Sequence, residues 1–253
     1  MSFVIDIFVN CYRAIRSGKL IQKESRRDKE YHFQDWFRER LEELGENFDE
    51  PSRNSYPDFK MVSHTLGFEI KGLQYPGRVM NFDCNSQVPT GFHNGRDIFY
   101  VFGRYPSEPQ NPQQYPVLDF LLCHGDFLNA DHDYLHKNKS IKGFGSYGDI
   151  MIRDRKMYVA PTPFALTDGT EAQITLIIPE GMSLTSDIVQ VGELTRIETP
   201  ELIIGYKFNL TANTLSAQTI PNPSAGNIHK FVACRVSTEP GTPVAMHTNK
   251  LHS

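Results

Sequence analysis

An α/β (α+β) fold, with a mixed central β-sheet flanked by helices and a β-rich C-terminal elaboration, is predicted by three features of the sequence. Helical periodicity is confined to the first 44 residues. Strand-like segments begin near residue 58, and from there onward Gly, Pro, Asn and Thr punctuate short apolar runs. Helices bury a stripe at 3.6-residue spacing and strands alternate at two, so the change of period marks the change of element.

The elements follow in order. Residues 3–16 (FVIDIFVNCYRAIR) read as a short amphipathic helix. A basic run from Lys19 to Lys29 leads into a stronger helical pattern from about Arg27 to Leu44. Its residues Phe33, Trp36, Phe37, Leu41 and Leu44 recur at steps of three and four and make one apolar face. Gly45 stands where a helix C-cap glycine is expected, and residues 46–55 (ENFDEPSRNS) are turn formers. Asp58–Val62 and Leu66–Lys71 are predicted strands across a turn at Ser63–Thr65. Arg78–Cys84 and Ile98–Phe102 follow, the latter entered through the turn His93-Asn94-Gly95-Arg96. Pro106–Pro116, with four prolines and three glutamines, reads as a loop, and Val117–Leu122 resumes as a strand or buried segment. Ile150–Arg153, Lys156–Ala160, Gln173–Ile178, Leu202–Phe208 and His229–Val236 are further strands. Residues 1–105 therefore form an α/β core and 106–253 a β-rich region, across a soft boundary that leaves one compact domain open.

The chain's 253 residues suffice for one large domain, and a hydrophobic fraction of 39% with 22% charged residues is ordinary for a folded protein. No stretch approaches the roughly 18 apolar residues of a membrane span. Asp6 interrupts the apolar start and no basic region precedes it, so a secretory signal is not expected. Cys11, Cys84, Cys123 and Cys234 lie far apart without Cys-x-x-Cys spacing. Reduced thiols in a cytoplasmic protein are expected, with neither a disulfide framework nor a zinc ribbon. A net charge of −4 argues against a broadly basic nucleic-acid binder. It leaves room for a local basic stripe, and carboxylates gathered around a cation lower the net charge without repelling DNA once filled.

The segment that carries chemistry is Tyr56-Pro57-Asp58-Phe59, followed by Gly67-Phe68-Glu69-Ile70-Lys71-Gly72. On a strand, Glu69 and Lys71 point to one side while Phe68 and Ile70 point to the other. An Asp at the start of the neighbouring strand converges with Glu69. Two carboxylates and a backbone carbonyl, that of Ile70, make a hard oxygen cage with open positions, which suits Mg²⁺. Lys71 beside it is placed to orient water or steady negative charge. The plain alternative is an ordinary hairpin with a solvent-facing Glu–Lys pair.

Pro57-Asp58, a ten-residue gap and Glu69-Ile70-Lys71 resemble the signature of the PD-(D/E)xK nuclease superfamily, to which most type II restriction endonucleases belong. The resemblance covers about residues 27–103. It implies a restriction-endonuclease-like core, and hydrolysis of DNA phosphodiesters that leaves 5′-phosphates, in a bacterial or archaeal cell. It also implies Mg²⁺ held by Asp58, Glu69 and the Ile70 carbonyl, with Lys71 completing the catalytic set. Some relatives carry a further acidic residue on the preceding helix; Glu30 lies in the matching place, with Asp35 and Glu39 as rivals. Residues 1–105 would then be the catalytic core and 106–253 serve DNA recognition or dimerisation. A homodimer is expected because cutting both strands of a palindrome needs two sites. Two alternatives stand beside the restriction enzyme: a repair, recombination or phage nuclease acting on structured DNA, and a non-catalytic DNA-binding protein of the same fold.

Other residues are candidates for DNA contact. Asn85, Ser86 and Gln87 follow the catalytic segment at a predicted turn, Asp83 is a further acidic group there, and Arg96 lies in a turn near the core. Lys137, Lys139 and Lys142 precede the glycine run Gly143–Gly148. The cluster Arg153, Arg155 and Lys156 is a similar candidate. No Gly-Lys-Ser/Thr ends the glycine run, so no nucleotide cofactor is expected. His124, His132 and His136 lie close together, but without supporting cysteines they read as a polar loop and not a zinc site.

Overall fold

The computed structural model describes residues 2–23, 29–49, 56–77, 80–84, 87–131, 146–147, 151–152, 158–209 and 211–247. For residues 2, 29, 30, 151, 152, 205–208 and 215 it describes the backbone alone. The chain opens with α1 (Ser2–Arg16), β1 (Ile21–Gln22) and α2 (Lys29–Glu43). Strands β2 (Phe48–Asp49), β3 (Phe59–Met61), β4 (Leu66–Tyr75), β5 (Asn81–Asp83), β6 (Phe92–His93) and β7 (Arg96–Pro106) follow. Then come β8 (Gln114–Tyr115), β9 (Asp119–His124) and a single turn of helix, α3 (Gly125–Leu128). Past β10 (Met151–Ile152) and β11 (Tyr158–Pro161) lie α4 (Pro163–Leu166), β12 (Thr167–Asp168) and β13 (Ile174–Pro179). The last strands are β14 (Ile188–Ile197), β15 (Glu201–Asn209), β16 (Thr214–Pro221), β17 (Ile228–Val236) and β18 (Ala245–Met246).

Eight strands form the main sheet in the order β14-β17-β13-β9-β7-β4-β3-β2, with β6 added beside β7. The pairs β4–β7 and β9–β13 are parallel and their neighbours antiparallel, so the sheet is mixed. The fold is α/β with sheet predominating.

Side-chain alternation divides the sheet into two faces. Phe68 and Ile70 of β4 and Phe99 and Val101 of β7 join the apolar cluster beneath α1 and α2. Phe33, Trp36, Phe37 and Leu41 of α2 are each 0–2% exposed in that cluster. Burying each large apolar side chain contributes about 1.5–3 kcal/mol, so this stripe outweighs any surface pair in fixing the helix to the sheet. Leu44 differs from expectation. It lies past the last helical residue and is exposed, because Gly45, at φ +73°, turns the chain away. The opposite face, with Leu73, Tyr100, Phe102, Leu121 and Cys123, packs against Phe82, Phe127, Tyr158 and Phe164. Phe82 and Tyr158 belong to a small three-stranded sheet, β10-β11-β5.

The boundary expected near residue 105 does not divide the main sheet. Its strands up to β7 precede that point, and β9, β13, β14 and β17 follow it. Two long strands, β14 and β16, fall where the sequence suggests none. β14 carries a register shift between Gln190 and Gly192, which breaks the alternation, and β16 is a largely exposed partner in the hairpin with β15.

Candidate active site

The antiparallel pair β3–β4 sets the site. Phe59 stands opposite Phe68 and Lys60 opposite Gly67, which brings Asp58, just before β3, level with Glu69. Pro57 packs over Gly67, where a Cβ would lie 2.5 Å from the proline Cγ and 3.0 Å from Ile98 Cδ1. Gly67 therefore leaves the space in which the Pro57-Asp58 segment approaches β4. The Ile70 N–H donates to Asp58 Oδ2 at 2.8 Å. In an extended strand the N–H and C=O of one residue leave the same edge, so the Ile70 carbonyl also points toward the Asp58 side and away from β7.

Phe68 and Ile70 are buried on the helical face, while Glu69 and Lys71 lie on the other. Lys71 Nζ donates to Glu69 Oε1 at 2.9 Å, and both side chains are only 13% exposed. This is not a solvent-facing surface pair. Glu69 Oε2 is buried and has no hydrogen-bond partner among the described residues. An acceptor left so costs about 1–3 kcal/mol, and more when charged. A cation or a water donating into the site would relieve that cost.

Tyr100 pairs with Glu69 across the parallel β4–β7 ladder. Its hydroxyl meets that of Tyr56 at 2.9 Å. Burial pushes both phenols well above the usual tyrosine range, and the Glu69 charge raises them further. Cys84 lies in the same electrostatic neighbourhood. Burial pushes its thiol up to about 12, against Lys71, which lowers it, while Glu69 and Asp83 add to the rise. The thiol is thus an inert packing group, and Asp83 acts on the same set of charges. The Tyr56–Tyr100 contact escaped the sequence reading: Tyr56 borders the Pro-Asp motif, but its partner lies 44 residues away.

The other expected site residues fare differently. Helix α2 lies against the face opposite Glu69 and Lys71, with Phe37 beside Phe59 and Phe68 and Phe33 over Gly103. The helix carrying Glu30 is thus separated from those two side chains by the sheet; the Glu30 side chain itself lies outside the described residues. Asp35 pairs with Arg38 and Glu39 with Arg40, both at 2.8 Å. Arg96, expected to contact DNA, donates from its Nη1 to the carbonyls of Met61 (2.6 Å) and His64 (2.9 Å) and braces the turn ahead of β4. Gln87 donates from its backbone to Cys84 and from its side chain to the Val88 carbonyl, which tightens its own turn. Asn85, Ser86, Lys137, Lys139, Lys142, Arg153, Arg155, Lys156, His132 and His136 lie outside the described residues. His124 caps α3 through its Nδ1.

Among the described residues no group of three or more His, Cys, Asp or Glu side chains is placed to hold a metal ion. A cation here would depend on two carboxylates with main-chain oxygen. None of those residues lies on a helix able to span a membrane: no described helix is long and apolar enough. Comparison of the chain with protein-family models, curated proteins and solved structures finds no match.

Proposed function

We propose that the chain is a Mg²⁺-dependent, sequence-specific endonuclease of double-stranded DNA, of the type II restriction kind, with a restriction-endonuclease-like core. The observation that carries this reading is the buried Glu69 carboxylate, with one oxygen on Lys71 and the other without a donor, level with Asp58 across a strand pair. Leaving that oxygen without a donor costs stability, so the arrangement is not explained by the ion pair alone. The donor set fits Mg²⁺, which takes one or two carboxylates and keeps several waters. Asp58, Glu69 and the Ile70 carbonyl would hold it. When bound, the ion neutralises phosphate charge and makes water a better nucleophile.

The chain's own residues supply the rest. Asp58 is fixed by the Ile70 N–H, which orients its carboxylate beside β4. The Lys71 ammonium, held by Glu69, steadies negative charge that develops on the phosphate oxygens. Water adds to phosphorus and the 3′ oxygen departs, which leaves a 5′-phosphate and a 3′-hydroxyl. The test is incubation with unmethylated phage DNA and Mg²⁺, followed by sequencing of fragment ends. Discrete fragments with common end sequences are expected. Nicking or end-dependent degradation would indicate the repair or phage type of nuclease, and intact DNA would leave a non-catalytic binder.

A further inference from the structure

We infer that the Tyr56–Tyr100 hydroxyl pair is a positioning element that fixes the Asp58 carboxylate against Glu69; this rests on the nuclease reading of the site. The residues ahead of β3 are held at three points. The Tyr56 hydroxyl meets Tyr100 of β7 at 2.9 Å, Pro57 sits over Gly67, and Asp58 Oδ2 accepts the Ile70 N–H. Tyr100 stands beside Glu69 in the ladder and Tyr56 two residues before Asp58, so one hydrogen bond ties the carriers of both carboxylates together.

Stability alone does not call for two hydroxyls there. Tyr100 is 2% exposed, in a cluster with Phe82 and Phe102. Two phenylalanines would fill the same space, and replacing both partners of a buried hydrogen bond by apolar groups is nearly neutral. Their polarity serves something other than packing. The hydroxyl contact is directional, and it sets where the Asp58 segment stops. A Phe–Phe pair would hold the rings but not their relative position.

The experiment compares Tyr56→Phe, Tyr100→Phe and the double variant with the unaltered protein. Thermal unfolding, Mg²⁺ affinity by calorimetry without DNA, and amide exchange at Ile70 are measured in each. Each single variant strands one buried hydroxyl and is expected to melt at a lower temperature. The double variant is expected to recover most of that loss while its Ile70 amide exchanges faster and its Mg²⁺ affinity falls about tenfold, as for loss of one hydrogen bond. A double variant with unaltered Ile70 exchange would overturn the positioning role, whatever its melting temperature. If the unaltered protein neither binds Mg²⁺ nor cleaves DNA, the nuclease reading fails; the Ile70 exchange still decides whether the pair positions Asp58.

Discussion

Asp58 does two things that a substitution can separate. One oxygen accepts the Ile70 N–H, and in the proposed site its charge would hold the cation. Asp58→Asn keeps an acceptor for that N–H and is expected to hold stability within about 1 kcal/mol while cleavage falls about 100-fold or more. Asp58→Ala also removes the acceptor, so it should lose cleavage and melt a few degrees lower, by about 1–3 kcal/mol, yet remain folded by circular dichroism. Wild-type cleavage by the Asn variant would remove Asp58 from the site. His124 offers a pH test away from the site. Burial lowers it to about 4, and its Nδ1 accepts the Asp126 N–H, which needs the neutral ring. The Asp126 carboxylate, 3.6 Å away, favours the charged ring, but burial and the occupied Nδ1 outweigh it. A histidine depressed on folding stabilises above its unfolded value near 6.5, and this is lost as pH falls through about 4. The amount is on the order of 3 kcal/mol. His124→Gln should flatten the acid limb of a stability profile between those pH values, and an unchanged limb would show that other groups control it.

At the scale of elements, two glycines control how layers meet. A Cβ on Gly103 of β7 would fall on the Phe33 ring of α2, so Gly103→Ala must displace that buried ring or the helix that carries it. Overpacking of this kind costs about 1–3 kcal/mol, measured as a lowered denaturation midpoint with the same slope. Gly67→Ala acts beside the candidate site, where its methyl group would displace Pro57. The expected outcome is a folded protein with weaker Mg²⁺ binding; equal affinity would mean that the Pro57-Asp58 segment does not need this approach. The hairpin turn between β6 and β7 was legible beforehand, since Asn94 and Gly95 take φ of +48° and +78° as an Asn-Gly turn requires.

At the scale of the molecule, the main sheet is built from both halves of the chain, so neither half holds a complete core. Arg104 and Asp119 illustrate this. They form a buried, doubly bonded pair between neighbouring strands, and the Ala172 N–H completes Asp119 at 2.9 Å. Separate expression of 1–105 and 106–253 is expected to yield unfolded fragments, judged by amide dispersion in NMR spectra; a dispersed spectrum from either would restore the two-part division. Size exclusion with light scattering should give twice the 28.9 kDa chain mass if the enzyme cuts both strands as a dimer. A monomer would favour a nuclease that nicks.

The sequence by itself determined the two helices, the β3–β4 strand pair, the Asn-Gly turn and the side of β4 on which Glu69 and Lys71 lie. Each depends on spacing within about fifteen residues, where chain geometry repeats. The tertiary structure alone decided which face α2 covers, and with it the separation of the Glu30 helix from Glu69 and Lys71. It also decided that Arg96 braces a turn, that Tyr100 stands beside Glu69, and that strands past residue 106 complete the sheet. These depend on contacts between distant segments. Helical period shows that a stripe is apolar, and says nothing about which sheet face receives it; a basic or phenolic side chain has many partners open to it until the fold brings one within reach.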